Sequence, residues 1–299
     1  VSNAGRLLVL GTALAATAAD DTAQDQRRSL RVIVDCRREH QRIRHFGAST
    51  GWLGAHIARS RPEAAVRNMA RFVFSREIVD GQPRGIGLSL YRIEVGAGTL
   101  EQGEGSGIPR ESRRTACPLL HDGSYDWNRI RGSETWARLA AQFGVHTLVG
   151  YADSPPVTVT KNGYGYKTDR SPGSNLAEEH YGTFAEYLAE TAAYYRRIGC
   201  PLAYISPVNE PQWRWRFEPG KAAQEGSPWT NREIARLARA LDSALRRKAP
   251  TVRILLPEAG VYKALFAEEG GHWKAASNQI DALWNPQSPA CIGNLPQVA

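Results

Sequence analysis

The chain has 299 residues, 42% hydrophobic and 23% charged, values ordinary for a soluble globular protein with room for a sizeable core, in one large domain or two small ones. Its formal net charge is +8, but the basic residues are scattered (Arg27-Arg28, Arg113-Arg114, Arg196-Arg197, Arg246-Arg247-Lys248), and no basic stripe interleaves with aromatics, so nucleic acid is not an expected partner. Eight Trp and eleven Tyr supply flat faces of the kind that stack on sugars or bases.

The N-terminal run Leu7–Ala19, LLVLGTALAATAA, follows Arg6 and ends in small residues before Asp20-Asp21. It is too short to span a bilayer and reads as a secretory h-region with an A-x-A-type cleavage site, so residues 1–28 are expected to be an export signal and disordered lead-in, and the protein to be extracellular or periplasmic. No other segment could cross a membrane, and no membrane partner is expected. Strand-like and helix-like stretches then alternate. RIRHFGAST (42–50) reads as a strand, PEAAVRNMARFVFS (62–75) as a helix with Pro62 near its first turn, and IGLSLYRIEVGAG (86–98) as a strand. ETWARLAAQFG (134–144) is a helix stopped by Gly144, and VHTLVGYADSPP (145–156) a strand ended by two prolines.

LAEEHYGTFAEYLAETAAYYRRIG (176–199) places Tyr181, Phe184, Leu188, Tyr195 and Ile198 on one helical face. LAYISPVNE (202–210) follows as a strand. Thr230 with Glu233 makes a capping-box pattern ahead of Ile234, Leu237, Leu241 and Leu245. TVRILLPEAG (251–260) is a further strand and WKAASNQIDALW (273–284) a further helix.

Five successive βα units imply a parallel sheet with helices outside it. Each strand ends in polar or special residues: Ser49, Glu94, Asp153-Ser154, Asn209-Glu210 and Glu258. That is the (β/α)8 TIM-barrel pattern, with chemistry at the carboxyl ends of the strands, in an α/β domain over residues 29–299. A doubly wound sheet is the alternative, but no glycine-rich phosphate turn follows the first strand. The four cysteines, Cys36, Cys117, Cys200 and Cys291, form no CxxC and suggest no zinc site; export would permit disulfides, and buried free thiols suit a domain of this size equally.

The stretch SPVNEPQW (206–213) carries the chemistry. Glu210 ends a strand beside Asn209, between Pro207 and Pro211, and Trp213 and Trp215 follow. A glycosidase needs a carboxylic acid to protonate the leaving oxygen and a second carboxylate opposite it. An isolated Asn-Glu-Pro could equally be a turn with Glu210 in a salt bridge.

The whole stretch resembles the acid/base strand of glycoside hydrolase family 30. HFGAST (45–50), SLYRIEVGAG (89–98), YADSPPVTVTKNG (151–163) and LLPEAG (255–260) resemble that family's first, second, third and fifth strands. Gln224-Glu225-Gly226 followed by Asn231 resembles its endo-β-1,6-galactanase-like branch. The resemblance implies Glu210 as general acid/base and Asn209 on the 2-hydroxyl of the sugar being cleaved. Arg92 would orient and keep ionised the nucleophilic carboxylate, and Trp52 and Trp213 would line sugar subsites. It implies a secreted retaining endo-hydrolase of β-1,6-galactan, monomeric when complete, with no metal or other cofactor. Other family specificities (β-glucosidic or β-xylosidic), a non-catalytic carbohydrate-binding protein and a truncated inactive product remain as alternatives. The family's nucleophile is a glutamate of the seventh strand, so it is expected beyond Ala299, together with the sixth to eighth strands and most of a β-sandwich side domain. Glu258 is expected to be a polar subsite or structural residue, with the nucleophile's part as the lesser alternative.

Overall fold

The computed structural model describes residues 32–33, 35–267 and 274–298. The expected export segment, 1–28, lies outside the described residues. The chain divides into a short unit, Val1–Arg42, and a main unit, Ile43–Ala299. In the first, the Asp35 carboxylate accepts from the Arg37 guanidinium at 2.8 Å.

In chain order the main unit carries β1 (Gly47–Ser49), α1 (Gly51–Ser60), α2 (Glu63–Phe74), a hairpin of β2 (Ile78–Val79) and β3 (Gln82–Pro83), then β4 (Leu90–Glu94), α3 (Thr99–Gln102) and α4 (Arg131–Gln142). It continues with β5 (Thr147–Tyr151), α5 (Tyr181–Arg197), β6 (Leu202–Ser206), α6 (Asn231–Lys248), β7 (Arg253–Ile254), α7 (Lys263–Phe266) and α8 (Gln279–Trp284).

Among the described residues, five strands form one sheet in the order β1-β4-β5-β6-β7, all parallel. Each strand lies beside the next strand of the sheet in the chain, the winding of a (β/α) barrel; a doubly wound sheet would reverse its order at a switch point. Val298 forms a parallel bridge to Ile254 on the outer side of β7 and continues the same order. Among the described residues, no helix is long and apolar enough to cross a membrane.

The strand sequences show why the sheet faces as it does. β5, TLVGY, is buried throughout, as a parallel strand covered on both faces must be. β4 splits by alternation. Tyr91 packs edge-on against Phe74 of α2, with centroids 5.3 Å apart, and lies 6.3 Å from Trp136 of α4, in the outer helical layer. Arg92 and Glu94 therefore project from the opposite, inner face. α6 begins with a complete capping box: the Glu233 N–H donates to Thr230 Oγ1 at 3.2 Å and the Thr230 N–H to Glu233 Oε2 at 2.7 Å. Its apolar stripe Ile234, Leu237, Leu241 and Leu245 is fully buried, each side chain contributing roughly 1.5–3 kcal/mol of burial. Arg246, Arg247 and Lys248 close it where cations suit the helix dipole.

Three expectations need correction. The first and fifth sheet strands are much shorter than 42–50 and 251–260: only Gly47–Ser49 and Arg253–Ile254 keep the ladder. After Leu255 the chain turns away, because Pro257 has no N–H to donate and Glu258 takes a positive φ of 57°. The expected helix 273–284 is interrupted at Asn278, whose φ is 50°, leaving a 3₁₀ turn at Lys274–Ala276 and α8; Trp273 lies outside the described residues. α1 was not anticipated. Its glycines Gly51 and Gly54 weaken a helical reading, yet Gly54 is required, since a Cβ there would fall 2.1 Å from Thr50 Oγ1. All four cysteines are free thiols, Cys117 and Cys200 buried.

Candidate active site

The carboxyl ends of β1, β4, β5 and β6 converge on a cavity of about 390 Å³, whose lining includes Trp52, Arg92, Tyr151, Asp153, Asn209 and Glu210. Trp52 reaches it from α1, Arg92 from β4, Tyr151 and Asp153 from the end of β5, and Asn209 and Glu210 from the loop after β6. Gln224, of the Gln224-Glu225-Gly226 stretch, also lines it.

Arg92 organises the floor. Its Nη2 donates to Asn209 Oδ1 at 2.8 Å and to Glu258 Oε2 at 2.7 Å, while its guanidinium lies 3.5 Å over the Tyr151 ring. The carboxylate that Arg92 holds is therefore that of Glu258. Burial pushes the Glu258 carboxyl above its ordinary range, and the Arg92 charge and hydrogen bond oppose that rise.

Glu210 sits at a positive φ of 46°. Such a conformation costs an ordinary side chain on the order of 1–3 kcal/mol and persists only where the surroundings fix it. They do so here. The Glu210 N–H donates to the Glu258 carbonyl at 2.9 Å, and the Glu210 carbonyl accepts from the Trp213 N–H at 3.1 Å and from Trp215 Nε1 at 3.0 Å. Burial raises the Glu210 carboxyl above the usual range, with the Arg92 charge pulling the other way. A raised carboxyl is the kind of group suited to general-acid chemistry.

Trp213 is 41% exposed. Its Nε1 and Glu210 Cγ both crowd Gly260, where a Cβ would lie 2.6 Å from the first and 2.9 Å from the second. Trp52 carries the guanidinium of Arg113 3.9 Å over its ring, and Arg113 also donates to Gln224 Oε1 at 3.3 Å.

Around this site lie buried acids to which the sequence reading gave no role. Asp153 and Glu225 are both pushed up to about 7, chiefly by burial, with Glu225 also repelling the Asp153 charge. Glu94 is raised well above its usual range by burial and by Asp153. Glu225 is a clamp: its carboxyl accepts from Thr99 Oγ1 at 2.5 Å, Thr115 Oγ1 at 2.7 Å and the Ala97 N–H at 3.2 Å, tying the loop after β6 to the loop after β4. Asn231 turns away from the cavity and donates to the Ser277 carbonyl at 2.9 Å. The sequence marks Asp153 as a polar strand end ahead of Ser154-Pro155-Pro156 and Glu225 as part of the Gln224-Glu225-Gly226 stretch; nothing local shows that the Glu225 carboxyl bridges two loops. Among the described residues, no cluster of His, Cys, Asp and Glu could hold a metal ion.

Residues 29–299 match the model of O-glycosyl hydrolase family 30. The chain resembles the crystal structure of a conserved exported protein from Bacteroides fragilis, with a TM-score of 0.81 and 28% identity over 89% of this chain and 53% of that one. It resembles in fold the catalytic domain of xylanase C from Talaromyces cellulolyticus, with a TM-score of 0.52 and 17% identity over 74% of this chain and 48% of that one. An endo-β-1,6-glucanase is similar in fold, with a TM-score of 0.54 and 15% identity over 75% of this chain and 46% of that one. The chain thus spans about half the length of the solved structures it resembles. No curated protein is significantly similar to it.

Proposed function

The chain belongs to O-glycosyl hydrolase family 30, and on that premise we propose that it acts as a secreted, retaining endo-glycosidase cleaving the β-1,6-galactan side chains of arabinogalactan. The observation that carries this reading is the placement of Glu210, Asn209 and Arg92 on one cavity at the carboxyl end of a parallel sheet. In this reading residues 29–299 supply βα units of the catalytic (β/α)8 barrel.

Glu210 is the acid/base. Its carboxyl donates a proton to the glycosidic oxygen as the bond to C1 breaks, and the resulting carboxylate later takes a proton from water. Asn209, oriented by Arg92, binds the hydroxyl next to the reacting carbon. Trp52 and Trp213 offer ring faces to the sugars. Double displacement also needs a nucleophilic carboxylate about 5–5.5 Å from the acid/base; by the family resemblance this is a glutamate of the seventh strand. Glu258 then serves as the counter-charge that fixes Arg92. No cofactor takes part, and the working form is a monomer.

Galactan is favoured by the Gln224-Glu225-Gly226 stretch: Gln224 lines the cavity and Glu225 anchors the loop that carries it. Export is favoured by the Leu7–Ala19 run and by the resemblance to an exported protein. Full-length protein incubated with β-1,6-galactan, glucuronoxylan and β-1,6-glucan is expected to release short β-1,6-galacto-oligosaccharides. Cleavage of xylan or glucan alone would remove the galactan assignment and leave the family intact.

A further inference from the structure

The segment Trp213-Arg214-Trp215-Arg216 serves two places. Its tryptophans crowd toward the acid/base loop: Trp213 over Gly260 beside Glu210, and Trp215 bonded to the Glu210 carbonyl. Its arginines line a separate cavity of about 530 Å³, together with Lys167, Arg170, Asp169 and Ser171. The two walls of that cavity are held in register by backbone bonds: the Lys167 N–H donates to the Trp215 carbonyl at 3.0 Å and the Phe217 N–H to the Lys167 carbonyl at 2.9 Å.

The lining holds one carboxylate, Asp169, beside the cations Lys167, Arg170 and Arg216; Arg214 also lines the cavity and has a partner of its own. Lys167 is only 2% exposed. Its ammonium donates to the Ser171 carbonyl and Oγ, each at 2.8 Å, and to the Gly173 carbonyl at 3.2 Å, with Asp169 Oδ1 at 3.2 Å. Lys167 is therefore a fixed positive charge with its protons committed. Asp169 is shared between that ammonium and Ser171, whose Oγ donates to it at 2.6 Å. Among the described residues, no carboxylate forms an ion pair with the guanidinium of Arg170 or of Arg216. A concave surface with this excess of positive charge focuses its field on an incoming anion. Planar guanidinium forks match the two oxygens of a carboxylate.

We propose that this cavity is a second ligand site that binds the carboxylate of a hexuronate, an acidic sugar, with Arg170 and Arg216 as its forks and Lys167 as buried background charge. A volume of about 530 Å³ accommodates a pyranose ring, and the segment that builds one wall also holds the loop that carries Glu210, through the Trp215 bond to the Glu210 carbonyl; a saccharide ligand here rests on the proposed glycosidase reading. The ligand is thus an acidic residue of a saccharide, either free or carried as a substituent on a longer chain.

The test is a binding measurement on full-length protein by titration calorimetry, so its outcome does not depend on whether the protein cleaves any glycoside. The probes are D-glucuronate, D-glucose, inorganic phosphate and a galacto-oligosaccharide with and without a glucuronate cap. Glucuronate should bind at least about tenfold more tightly than glucose, and Arg170→Gln and Arg216→Gln should each weaken it about tenfold. Both arginines are exposed, so neither change threatens the fold, and Arg216→Lys should recover only part of the loss. Tighter binding of the capped oligosaccharide than of free glucuronate identifies a substituent on a chain; equal binding identifies the free sugar acid. Glucuronate that binds no better than glucose, phosphate that binds as tightly as glucuronate, or affinity unchanged in the arginine variants would each overturn the proposal.

Discussion

Arg92 and Glu258, separated by 166 positions in the chain, meet at 2.7 Å beside the loop that carries Glu210. The pair is largely out of solvent, with side chains 23% and 16% exposed. Removing one partner leaves the other charge buried and uncompensated. Arg92→Met is expected to destabilise the fold by about 2–4 kcal/mol, and Glu258→Gln in that background to restore part of the loss. A urea-denaturation cycle on the two single variants and the double variant measures this. Additive losses would show that the two side chains do not act as a unit.

Glu210→Gln keeps the shape of the side chain and removes the proton. Cleavage of polysaccharide should fall by roughly a hundred- to ten-thousandfold. An aryl glycoside whose leaving group needs no proton should lose far less in the glycosylation step. Equal losses on both substrates in that step would argue against the acid/base role.

Asp153 and Glu225 hold their protons up to about pH 7 in the folded protein, whereas unfolded carboxyls lose theirs near about pH 4. The folded state therefore binds these protons more tightly. Their contribution is fully present below about pH 4 and is lost as pH rises toward 7. The urea midpoint should be lower at about pH 7.5 than at about pH 5, and Asp153→Asn should flatten the difference. A midpoint that climbs over this interval in the parent protein, unaffected by Asp153→Asn, would contradict the assignment.

Thr230 caps α6 and is reciprocated by Glu233, which also accepts from the Ser174 N–H at 2.9 Å. Thr230→Ala should cost about 1 kcal/mol, and Thr230→Ser should recover most of it. Thermal denaturation distinguishes them; indistinguishable melting of the alanine and serine variants would mean that the side-chain hydroxyl carries no stability.

The sequence alone determined those features that reside in short windows. Periodicity marked α2, α4, α5 and α6, because the buried stripe of a helix repeats within a single element. The capping box of α6 was readable because both its partners lie within one turn. The Asn209-Glu210 pair was readable because a strand end, two prolines and two tryptophans fall within ten positions. The tertiary structure alone decided what depends on side chains meeting from distant strands. It gave Arg92 to Glu258 and made Glu225 the clamp between two loops. It also brought Trp52 to the cavity on α1, a helix held by the packing of Gly54 and Trp136, with the Trp136 indole N–H donating to the Gly54 carbonyl at 2.7 Å. The break at Asn278 belongs with these, since nothing in the pattern of 273–284 signals a residue at positive φ; the short β7 was legible in part, because Pro257 cannot donate to the ladder. The physical reason is one of range. Propensity, periodicity and capping act over a few residues, whereas charge pairing, burial of carboxyls and backbone strain are set by groups that share space without sharing sequence.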